Sequence, residues 1–111
     1  MNAQTRSDDT VVVELPRELE GHDALQAVVE TIRHDREHHV VIDFSRAEIV
    51  GSVTMSALLE LRRLLRRSGR RLMLCSVAAK ARTVFSVAQI ETLFEFAADR
   101  KAALARLQDR T

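Results

Sequence analysis

Aromatic residues are scarce in this sequence, which has four phenylalanines, no tryptophan and no tyrosine. A platform for stacking bases or sugars therefore lacks material, and the core must be built from aliphatic side chains. Cysteine is limited to Cys75, which excludes an internal disulfide and suits a reducing compartment. Glycine occurs only at positions 21, 51 and 69, too few for a glycine-rich loop that cradles phosphate. No charge of one sign dominates: the net charge is +1, so no overall field draws the chain to DNA or to a membrane surface. Long apolar runs are missing too, since Val11–Val13 and Val40–Ile42 are far too short to span a bilayer. The polar opening Met1–Thr10 lacks the apolar stretch of a signal peptide. The expectation is a cytoplasmic protein with no nucleic-acid partner and no direct membrane insertion.

What is present suits one ordinary globular domain. The 111 residues are 46% hydrophobic and 30% charged, enough for one core and too short for two. Met1–Asp9 reads as a disordered lead-in. Thr10–Leu15 (TVVVEL) is rich in β-branched residues and predicts a strand stopped by Pro16. Gly21 and Asp23 open a helix to about His34, with Leu25, Val28, Val29 and Ile32 at helical spacing. Val40–Phe44 (VVIDF) predicts a strand covered on both faces. A short extended piece at Ala47–Val50 then leads to the longest helix, from about Val53 to Arg67, which ends at Ser68-Gly69. Arg71–Val77 predicts a strand, Ala78–Ala88 a helix, and Leu93–Phe96 a short strand. Asp99 caps a last helix through Leu107, with Ala102, Ala103, Leu104 and Leu107 on or near its apolar face. Strands alternating with helices define an α/β domain.

The long helix carries most of the functional signal. At about 100° per residue, Val53, Ala57, Leu58, Leu61, Leu64 and Leu65 form one apolar arc. Ser56, Glu60, Arg62, Arg63, Arg66, Arg67 and Arg70 lie opposite. Met55 and Leu59 project into that arginine face, either as stray surface residues or as a small docking patch rimmed by arginines. Between Ser52 and Arg71 there are six arginines and one glutamate, a local net charge of +5. Some of that charge complements the helix dipole, and the rest reads either as a solvated helix face, the default, or as a site for an acidic protein partner, which fits better than nucleic acid does. At the front of the helix, the turn Val50-Gly51-Ser52-Val53-Thr54 points free N–H groups outward and clusters the hydroxyls of Ser52, Thr54 and Ser56. Ser52 reads as an N-cap, and Gly51 as a conformation other residues disfavour.

Catalytic chemistry finds no foothold. Cys75 alternates within a strand and reads as a small core residue. His22, His34, His38 and His39 sit at a helix start and in a charged connector, and no nucleophile elbow exists. HDREHH (His34–His39) offers ligand atoms but reads as a solvated loop, so no metal and no cofactor is expected. Asp43 ends a central strand, where α/β sheets place ligand groups, or else it caps the following loop.

The block VVIDFSRAEIVGSVTMSALLELRRLLRRSGRRLMLCSV resembles the central part of STAS domains, the family of anti-sigma factor antagonists and sulphate-transporter tails. The corresponding elements are Asp43-Phe44-Ser45, Gly51-Ser52-Val53-Thr54, Ser68-Gly69-Arg70, and Val84-Phe85 with Ile90–Phe94, and the resemblance spans residues 10–108. It implies a small mixed sheet of four to five strands flanked by about four helices, and a non-enzymatic module of bacterial regulation. It also implies a partner surface of Gly51, Ser52, Val53, Thr54, Met55, Ser56 and Leu59, joined by Arg62, Arg63 and Arg66. Phosphorylatable members carry a hydroxyl where this chain has Val53, an acidic residue where it has Gly51, and glycine where it has Thr54. The usual loop position therefore cannot take phosphate, which leaves Ser52 and Thr54 as candidate acceptors. The implied partner is an anti-sigma factor or serine kinase. The alternative is a STAS subunit of a membrane-associated lipid or anion transporter complex, with the arginine face docked on a transporter component.

Overall fold

A computed structural model describes residues 4–6, 9–15, 21–34, 38–47 and 50–108. Five strands form one sheet in chain order, β1 (Gln4–Arg6), β2 (Thr10–Glu14), β3 (His39–Asp43), β4 (Leu72–Cys75) and β5 (Glu95–Ala97). Strands β2 to β5 run parallel, and β1 pairs antiparallel with β2, with Thr5 opposite Val12. The sheet is therefore mixed, as expected. The lead-in is not wholly unstructured, because its residues 4–6 form the edge strand β1. The sequence hid it because QTR offers no apolar alternation, and an edge strand can be held by backbone hydrogen bonds alone.

Four α-helices flank the sheet: α1 (Gly21–His34), α2 (Ser52–Arg67), α3 (Ala79–Val87) and α4 (Arg100–Gln108). Each crossover between parallel strands advances one strand in the same direction, and right-handed crossovers then place their helices on one face. The core records this. Val11, Val13, Val40, Ile42, Leu72 and Leu74 pack with residues of α1, α2 and α3. Their alternates Val12, Val41, Met73 and Cys75 face the other way, onto Ala103 and Leu107 of α4. Every residue of β3 is buried, as a strand covered on both faces requires.

Several boundaries shift. The expected strand at Leu93–Phe96 is a 3-10 turn, Glu91–Leu93, followed by β5 two residues later. Phe85 organises this region by edge-on contacts with Phe94 at 5.6 Å and Phe96 at 5.4 Å. The strand expected over Arg71–Val77 shortens to β4, after which Ser76 takes a left-handed φ of 57°. Asp99 does cap α4, its Oδ1 accepting the N–H of Ala102 at 2.8 Å. Gly69 follows α2 at a φ of +70°, the left-handed stop that glycine adopts at least cost. Pro16, residues 35–37 of the His34–His39 connector and residues 48–49 of the expected extended piece lie outside the described residues.

Candidate docking surface

Asp43 ends β3 and Gly51 precedes α2, so residues 43–47 and 50–56 lie where the central strand of the sheet delivers the chain to a helix N-terminus. Gly51, not Ser52, is the N-cap, and its φ of −95° and ψ of 177° are open to any residue. The expectations of a Ser52 cap and of a special conformation at Gly51 are therefore both corrected. No side chain caps the helix, and Gly51 O accepts the Met55 N–H at 3.0 Å as the first helical bond. The first turn holds no acidic residue, so none of its own side chains offsets the positive end of the helix dipole.

The first turn overhangs the core. Thr54 shares the row of Leu58, Leu61 and Leu65, all buried, yet is itself only half-buried. Val53, expected in the apolar arc, is 53% exposed, and Ser52 and Ser56 are exposed beside it. Met55, expected outside, is 7% exposed and belongs to the same apolar cluster as Ala47 and Val50 from the preceding loop. Leu59, one turn on, is half-buried against that cluster. The Met55–Leu59 docking patch is therefore absent. A helical projection assumes one packing partner, the sheet, whereas here the preceding segment contributes apolar residues to the same cluster. The long, flexible thioether of Met55 suits such an irregular space.

The arginines differ in freedom. Arg63 is bound to Glu60 at 2.8 Å, and Glu60 also accepts from Arg33 of α1 at 3.0 Å, so this group ties the two helices together. Hydrogen bonding from Arg63 holds the Glu60 carboxyl below its ordinary value. Arg62 donates its Nε to the carbonyl of Leu93 at 2.6 Å. The Arg66 side chain makes no hydrogen bond or ion pair among the described residues.

Asp43 is 5% exposed and well partnered. Its Oδ1 accepts the Ser45 N–H at 2.9 Å, and its Oδ2 accepts Nε and Nη2 of Arg100 at 3.2 and 2.8 Å. Burial works to raise its pKa, but the Ser45 N–H and the Arg100 guanidinium outweigh it and hold the carboxyl below the ordinary range. The group thus joins the central strand to the start of α4, a link 57 residues long that no local motif announces. Cys75 next to it in the sheet is buried, and burial together with the Asp43 carboxylate pushes its thiol up to about 11. That thiol is inert near neutrality. Among the described residues, no three His, Cys, Asp or Glu side chains gather as a metal site, and no helix is long and apolar enough to cross a membrane.

The STAS domain family model matches residues 2–103, and the chain belongs to that family. Its fold is shared with a STAS domain protein described as an anti-sigma-factor antagonist from Planctomyces limnophilus, at a TM-score of 0.83 and 18% identity, over 96% of this chain and 97% of that one. It is also similar to the Bacillus cell fate determinant SpoIIAA in its phosphorylated form, at a TM-score of 0.75 and 20% identity, over 97% of this chain and 100% of that one. The murine anion transporter solute carrier 26 family member A9 matches at 0.73 and 16% identity, over 96% of this chain and 19% of the transporter. No curated protein matches the sequence.

Proposed function

We propose that this chain is a non-enzymatic module of bacterial regulation, of the anti-sigma factor antagonist type, which docks onto an anti-sigma factor or serine kinase in the cytoplasm. The contact surface is the turn Gly51-Ser52-Val53-Thr54 with Ser56, extended along α2 toward Arg62 and Arg66. Met55 and Leu59 support it from beneath. One observation carries the reading: while Met55 anchors the first turn of α2 in the core, Ser52 and Val53 at its start are exposed, beside a helix N-terminus with no side-chain cap among the described residues. An exposed apolar residue ringed by hydroxyls and backbone donors suits a protein contact. Because Val53 stands where phosphorylatable relatives carry a hydroxyl, docking is not switched at that position. Ser52 and Thr54 are the remaining acceptors, and phosphate on Ser52 would meet the helix dipole favourably.

The likeness to an anion transporter's STAS domain supports a second reading, a subunit docked on a lipid or anion transporter. Calorimetric titration with an anti-sigma serine kinase and, in parallel, with a transporter component separates the two. Val53→Asp should weaken binding at least tenfold, about 1.4 kcal/mol, without lowering thermal stability. Undiminished binding by a folded Val53→Asp chain would refute the surface.

A further inference from the structure

The far end of α2 opens onto a cleft of about 240 Å³ lined by Arg62, Arg66, Arg70 and Arg71 over Leu72, Leu93 and Phe94. Glu95 is the one carboxylate in it, so four guanidinium groups against one acid leave a net charge of +3. That acid is already committed. Arg71 donates to both of its oxygens and holds its carboxyl below the ordinary range, and Arg106 lies 3.8 Å away. Arg62 gives Leu93 only its Nε, which leaves its outer nitrogens available. The side chains of Arg66 and Arg70 have no hydrogen bond or ion pair among the described residues. Leu93 is 39% exposed, which adds an apolar contact to the charged wall.

We propose that this cleft receives an acidic amphipathic segment of a protein partner, with carboxylates on Arg66 and Arg70 and an aliphatic side chain on Leu93. Arg62 and Arg66 stand one helical turn apart, about 6 Å, and Arg70 continues the row past Gly69. A row of separate guanidinium groups matches spaced carboxylates, whereas a single phosphate calls for donors converging on one point. Unpaired bases of a single strand would need exposed rings to stack on, and Phe94, the aromatic in the wall, is 7% exposed. A flat bilayer surface cannot enter a cleft. The inference deepens the docking reading by giving the partner's chemistry, and rests on it only for α2 being the partner-facing helix.

Fluorescence anisotropy with a labelled peptide repeating Glu-Leu-Leu-Glu tests the idea on the intact chain. Binding should fall as salt rises, vanish for the Gln-Leu-Leu-Gln peptide, and weaken at least about tenfold in Arg66→Glu/Arg70→Glu. Arg66→Gln/Arg70→Gln serves if charge reversal impairs folding. Arg70→Glu alone, outside the surface that runs from Gly51 to Arg66, should weaken peptide binding and spare that surface, so loss of the Ser52 surface and loss of the cleft are read separately. Equal binding by the arginine variants would overturn the proposal. So would displacement of the peptide by equimolar pyrophosphate, which marks a small-anion pocket, or tighter binding to phosphatidylglycerol vesicles, which marks a membrane contact.

Discussion

Replacing Met55 by alanine should be costly, and replacing its neighbour Val53 should cost little, the reverse of what a helical projection suggests. Met55 is 7% exposed within the main apolar cluster, so truncation removes three heavy atoms from a packed site. Core Met→Ala changes cost about 2–5 kcal/mol. The site lies in the first turn of its helix, where partial collapse is easiest, which places the expected loss near the low end, at about 2.5 kcal/mol. An unfolding entropy of about 2.1 cal/mol/K per residue makes each kcal/mol worth about 4 °C in a domain of this size, so the melting temperature should drop by about 10 °C. Val53, 53% exposed, should lose no more than about 0.5 kcal/mol, or about 2 °C. Thermal unfolding followed by circular dichroism reads both variants. Equal shifts, or an unmoved melting point for Met55→Ala, would refute the placement of α2.

Three further outcomes follow from the same packing. Asp43→Asn leaves Arg100 without its anion and should cost about 2 kcal/mol at pH 7, discounted because the Arg100 side chain is 39% exposed. Since the folded carboxyl is depressed below 3.8, its contribution is complete above that value and is lost as pH falls through the folded pKa. Urea midpoints should therefore converge for wild type and Asp43→Asn as pH drops from 5 toward 2, and a constant gap would contradict the pairing. Gly69→Ala meets no atom within 4 Å but must hold a φ of +70°, and should cost about 1 kcal/mol in the same titration, whereas Gly51→Ala, unstrained at an extended φ, should cost about 0.5 kcal/mol through alanine's poorer fit at an N-cap. Cys75 in the native chain should resist thiol reagents at pH 8 and react on unfolding, because its thiol is buried and raised to about 11.

The parts of the fold legible in the sequence were those encoded locally. The β-branched runs at Thr10–Leu15 and Val40–Phe44 announced β2 and β3, the leucine spacing announced α2, and Gly69 and Asp99 marked a helix end and a helix start. The edge strand at Gln4–Arg6 was not legible, because three polar residues paired along one side leave no hydrophobic trace. Nor was the Asp43–Arg100 pair, which the chain closes only after β4, α3 and β5 are in place. For the candidate site, the turn and the helix following it were evident from Gly51, Ser52 and the leucines. Which apolar residue faces outward was not, since Met55 lies buried beyond the sheet-facing arc, among residues of the preceding segment. The arginine cleft likewise joins the end of α2 to the residues before β5, which are distant in sequence.

The central claim is that the overhanging start of α2 meets the partner. Amide deuterium exchange on the chain bound to an anti-sigma factor or serine kinase, the class of partner proposed for it, reads this directly. The account predicts slowed exchange at Ser52–Ser56, with unchanged rates along α4. Slowing confined to α4, with the Ser52 turn exchanging as in the free chain, would contradict it.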